Sequence, residues 1–166
     1  ASHCRTMPAA PALAPPGTPF AFVQAVLRAY AARSCAPDKA LAAAQIAPDR
    51  RGHWPSQVSP LQFERLCAAA MRELDDEAPG WFSRPLPWGS YGMLARASMG
   101  APTLAVALKR WCRHHGLLTQ DVALALHSDE SGARVEITEH ADLGEQREFA
   151  LLSLLRNLHG LSCWWV

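Results

Sequence analysis

Charge is scarce in this chain, and little of it is unbalanced. Asp, Glu, Lys and Arg make up 19% of 166 residues, and the formal net charge is +1. A free-standing nucleic-acid binder carries a basic stripe or a strongly positive domain. Here Arg28, Arg65, Arg72, Arg96, Arg110 and Arg156 are scattered among acids, as on solvated helix faces. No apolar run is long enough to span a bilayer, and no cationic start leads into an export-type apolar segment. The expectation is a cytoplasmic protein with no membrane partner. Cys-x-x-Cys is absent and the five cysteines are odd in number. Cys67, Cys112 and Cys163 lie among helical apolar residues and read as buried reduced thiols.

Catalytic signatures are lacking as well. The chain has no P-loop, no G-x-G-x-x-G, no G-x-S-x-G and no H-E-x-x-H. His114 and His115 are adjacent, so on a helix they point about 100° apart and do not chelate one ion easily. Asp75-Asp76-Glu77 reads as an acidic opening to a short helical turn, with its charges at the positive end. Cys112 shares the apolar face of Leu108 and reads as a core thiol rather than a nucleophile. No catalytic residue, metal or cofactor is expected, and the chain reads as a protein other than an enzyme.

What is plentiful is apolar surface, at 49% of residues. Residues 1–19 are rich in Ala and Pro and read as a disordered leader. From Phe20 the apolar spacing predicts a helix to about Arg33, then a short helix from Pro37-Asp38 to about Gln45. Ser59-Pro60-Leu61-Gln62 has the signs of a capping box with proline in the first turn. Phe63, Leu66, Cys67, Ala70, Met71 and Leu74 continue it as one apolar face. Residues 80–90 read as an irregular connection into a helix over Ser90–Met99. A further helix is expected with Pro102 at its first position, Leu104, Leu108, Trp111 and His115 on one stripe, and Gly116 as its cap. Val122, Leu124 and Leu126, then Val135 and Ile137, alternate around a Gly-containing loop, which predicts an antiparallel hairpin over about 121–140. A last helix from about Glu145 is apolar nearly all round and reads as buried. The fold class is therefore α+β: a mostly helical domain over 20–166 with one hairpin, incomplete at its C-terminus.

Trp88, Tyr91, Trp111 and His115 combine apolar area with hydrogen-bonding tips on or beside two successive helices. They read as ordinary core or as the wall of a small-molecule pocket. Leu158, Trp164 and Trp165 read as an interface, because the last helix is hydrophobic up to the final residue.

Three strings then carry a resemblance. They are Leu86-Pro87-Trp88-Gly89-Ser90-Tyr91-Gly92-Met93-Leu94, Ala101-Pro102-Thr103-Leu104, and Leu108-Lys109-Arg110-Trp111-Cys112-Arg113-His114-His115-Gly116-Leu117-Leu118. With Arg147-Glu148-Phe149 and Asn157-Leu158-His159-Gly160-Leu161-Ser162-Cys163-Trp164, they resemble the arabinose-binding-like N-terminal domain of AraC-type transcription regulators. The branch most similar is that of the ornithine-utilisation regulators, over about Phe20 to Val166. The resemblance implies a bacterial, cytoplasmic regulator whose N-terminal domain senses a small-molecule effector or forms a homodimer. Arabinose itself is not implied. DNA would be bound only through a C-terminal helix-turn-helix domain that this chain lacks. A protein-interaction module without a ligand is the alternative.

Overall fold

Six helices and two small antiparallel pairs of strands make up the computed structural model, which describes residues 17–165. Most of the leader expected over 1–19 lies outside the described residues, as does Val166. Order nevertheless begins before Phe20. Strand β1 (Thr18–Pro19) pairs antiparallel with β2 (Gln57–Val58), Thr18 opposite Val58 and Pro19 opposite Gln57. Pro19 tolerates this place because the strand is only two residues long and lies at an edge.

Helix α1 (Phe20–Ala32) buries Val23, Val26 and Tyr30 at the i, i+3, i+7 spacing read from the sequence. Helix α2 (Asp38–Ala44) follows and packs against α3 (Pro60–Glu73). The capping box of α3 is formed as expected. The Gln62 N–H donates to Ser59 Oγ at 3.2 Å, and the Ser59 N–H donates to Gln62 Oε1 at 3.0 Å. Helix α4 (Ser90–Met99) and helix α5 (Leu104–Leu118) then form a packed pair. Thr103 caps α5, its Oγ1 accepting from Val106 N, so Pro102 falls before the cap rather than inside the first turn. Gly116 does not end α5 either. The helix continues so that Leu118 reaches the core, and stops where Thr119 turns extended.

The hairpin is β3 (Val122–Asp129) against β4 (Gly132–Glu139). Leu124 faces Ile137 and Leu126 faces Val135 across it. These four residues share one face and pack on the core, with β3 lying along α5. A 3-10 turn over Gly144–Gln146 leads into α6 (Arg147–Trp165).

Helix α6 is not buried all round. Phe149, Ala150, Leu154 and Leu158 are in the core, while Leu152, Leu155 and Trp164 are exposed, Trp164 by 64%. One helix face satisfies the core, and an apolar composition does not decide where the other residues point. The core itself has two aromatic groups. Phe22, Phe63, Phe149 and Trp81 meet among α1, α3 and α6, with ring centroids 5.6–6.3 Å apart. Tyr91, Trp111, His115 and Phe82 form the other, between α4, α5 and the connection before α4. Trp81 and Phe82 join them edge to face.

Candidate functional site

Asp75-Asp76-Glu77 opens no helix. Leu74 caps α3, and Asp75 turns into the left-handed region at φ 48°, which sends the chain away from the helix axis. The three carboxylates then organise residues 78–91. Buried Asp76 accepts from the N–H groups of Ala78 (3.0 Å), Leu86 (2.9 Å) and Gly80 (3.2 Å), and pairs with Arg33 at 2.6 Å. Asp75 accepts from Trp88 N at 2.9 Å. Glu77 accepts from Gly89 N at 2.8 Å and Tyr91 N at 2.6 Å. The acid does sit at the positive end of a helix, but of α4, twelve residues further on. Gly80 is required in this loop: its φ is +70°, and a Cβ would stand 3.2 Å from that of Ala29.

This loop sets Trp88 and Tyr91 on one wall of an open cleft of about 610 Å³. Helix α3 supplies a second wall through Glu64, Cys67, Ala68 and Met71. Helix α6 supplies the third through Arg156, Asn157, Gly160 and Leu161. The volume suits a small molecule, and the surface is mainly apolar with a few placed polar groups, as ligand sites are. Ala68, Gly92, Ala95 and Gly160 leave the space that larger side chains would fill.

Trp111 and His115 are not on the cleft surface. Both are fully buried behind Tyr91. The Tyr91 and Trp111 rings stack with planes 12° apart, and Tyr91 Oη lies 3.4 Å from His115 Nε2. The four aromatic residues read from the sequence therefore separate into a surface pair and a supporting pair. The apolar stripe that drew notice to Trp111 and His115 is the one that buries them. Trp88 is half exposed, with the Arg72 guanidinium 5.0 Å from its ring centroid. Of the interface residues read from the sequence, Leu158 is in the core, Trp165 is half buried and Trp164 is exposed.

Burial is the main cause of the shifted titrations in and behind the cleft. Burial pushes the Cys67 thiol up to about 12, against the pull of Arg156, so it stays protonated. Burial, then Glu77 and Asp76, hold the Tyr91 hydroxyl well above its ordinary value. Burial lowers His115 from 6.5 to about 4, so the imidazole is neutral. Its Nδ1 and Trp111 Nε1 are buried without a partner in the protein. Cys112 is buried as expected, Cys67 is half buried, and Cys163 is exposed, against expectation. Among the described residues no three His, Cys, Asp or Glu side chains gather to hold a metal ion, and no helix is long and apolar enough to cross a membrane.

A neutral buried histidine makes stability depend on pH. The unfolded chain takes up a proton near 6.5 and the folded one only near 4, so folding is favoured above that interval. From pH 6.5 down to about 4, His115 alone is expected to withdraw roughly 3 kcal/mol. Urea midpoints measured across this range should fall with pH in the parent and fall less in His115→Gln. Equal slopes in the two proteins would remove His115 as the cause.

The residues on α3 and α6 were missed in the sequence. Residues 64, 67, 68 and 71, and residues 156, 157, 160 and 161, each follow helical spacing, with one small residue in each set, Ala68 and Gly160. That pattern marks a helix face, but not that two such faces stand apart across a gap.

A family model described as the arabinose-binding domain of AraC transcription regulators, N-terminal, matches residues 35–166. The match begins after α1, fifteen residues later than the resemblance read from the sequence. No curated protein and no solved structure matches the chain.

Proposed function

The chain belongs to the family of arabinose-binding N-terminal domains of AraC transcription regulators, and from that premise we propose that it senses a small-molecule effector in the cleft between α3, α4 and α6. The observation carrying this reading is the cleft itself. It has ligand size, an apolar floor, and Trp88 and Tyr91 held at its edge by two carboxylates, Asp75 and Glu77. Trp88 and Tyr91 contact the effector in this reading, and Trp111 and His115 support Tyr91 from behind. Burial keeps the Cys67 thiol of the cleft protonated, which supports a role in binding. In the intact regulator the effector would favour one arrangement of this domain relative to a helix-turn-helix DNA-binding domain. Its differential affinity for the two arrangements would supply the energy of switching.

A second reading, self-association, is favoured by exposed Leu152, Leu155 and Trp164 on α6. It makes the chain a homodimerising module, and sedimentation at micromolar concentration reports it directly.

The effector is tested by a thermal-shift screen of amino acids and small organic acids against the chain. A compound at a hundredfold excess over its dissociation constant stabilises the fold by about 2.7 kcal/mol. The response should disappear in Ala68→Trp, which fills the cleft, and persist in a control such as Ala123→Ser on exposed β3. An undiminished response in Ala68→Trp would move the site elsewhere.

A further inference from the structure

The exposed thiol of Cys163 has a neighbour that the other described cysteines lack. His159 lies one helical turn earlier on α6, with Nε2 3.7 Å and Nδ1 3.9 Å from Cys163 Sγ. Residues four apart on a helix share a face. A tetrahedral zinc-class ion holds sulfur at about 2.3 Å and nitrogen at about 2.0–2.1 Å, which sets the two ligand atoms roughly 3.6 Å apart. The pair already has that separation; because both ring nitrogens lie nearly equally far from Sγ, a turn of the imidazole about its side-chain bonds aims one lone pair at a shared ion, with no change of backbone. Thiolate with imidazole is a donor set for zinc, cobalt and nickel rather than for magnesium or calcium. Both side chains are exposed, and neither pairs with a carboxylate among the described residues.

We propose that His159 and Cys163 form a two-residue chelate on the last turns of α6 for a divalent transition cation of the zinc class, with water completing its coordination. Binding breaks the S–H bond and forms a sulfur–metal bond, releasing one proton per cation, and changes no oxidation state. His159 supplies a nitrogen lone pair. The cation then ties two successive turns of α6 together, next to the residues Asn157, Gly160 and Leu161 that line the cleft.

Cobalt(II) is the probe, added to the reduced 166-residue chain. A thiolate-to-cobalt charge-transfer band should grow in the near ultraviolet and be displaced by zinc. Cys163→Ser should abolish it, and His159→Ala should weaken the apparent affinity about tenfold or more. Cys35→Ser should leave it intact. Both target side chains are exposed, so the variants should keep the far-ultraviolet circular dichroism of the parent. A band that survives Cys163→Ser, or a His159→Ala titration matching the parent, overturns the chelate. So does the absence of any band at millimolar cobalt.

Discussion

Asp76→Ala is expected to lower the stability of the fold by about 3–5 kcal/mol, a large part of what a domain of this size has. The carboxylate is 1% exposed and holds four donors at once: three backbone N–H groups and the Arg33 guanidinium. Alanine leaves the guanidinium without its counter-charge and the N–H groups of Ala78, Gly80 and Leu86 without an acceptor. Each buried donor abandoned in this way costs about 1–3 kcal/mol. Asp76→Asn keeps one oxygen for Ala78 and Leu86 but turns an N–H₂ toward Gly80 and Arg33, so it should recover only part of the loss. Urea denaturation of both variants checks the order. Because the same loop carries Trp88 and leads into the first turn of α4 with Tyr91, Asp76→Ala should also lose the thermal response to an effector. A midpoint within about 1 kcal/mol of the parent would show that water serves those donors as well as the carboxylate does.

Trp111→Ala is expected to cost about 3–5 kcal/mol for a different reason. The ring is wholly buried, and its removal opens a cavity between α4 and α5. Tyr91, which stacks on it, then keeps only His115 on its inner side and should rotate inward. Two readouts separate the consequences. Urea unfolding gives the packing loss, and near-ultraviolet circular dichroism follows the Tyr91–Trp111 stack. Trp111→Phe fills more of the space and should restore most of the stability. An alanine variant with near-parent stability would mean the surroundings collapse into the gap.

The sequence separates the two aromatic residues that face the cleft from the two that support them only in part. Helical spacing places Trp111 and His115 on the stripe of Leu104 and Leu108, and a shared stripe means shared burial. Trp88 escapes that stripe because it lies in an irregular loop, where spacing has no meaning. Helix boundaries fared better wherever the signal was local. Ser59 and Gln62 cap α3 from three residues apart, so their letters suffice. Asp76 was misread because its partners are the backbone donors of residues 78–86, which leave no mark in the letters. Helix α6 was misjudged for the related reason that leucine content measures hydrophobicity, not direction.

Glu77 has one further bearing on how the domain responds. Its two oxygens hold the amides of Gly89 and Tyr91, and so wind the first turn of α4, while the same side chain borders the cleft. Each oxygen keeps a lone pair that these amides leave free, so a guest bearing a hydrogen-bond donor can bind the same carboxylate that keeps that turn wound. Filling the cleft and holding the start of α4 thus act through one side chain. The helix would register the guest without any relay of intervening side chains.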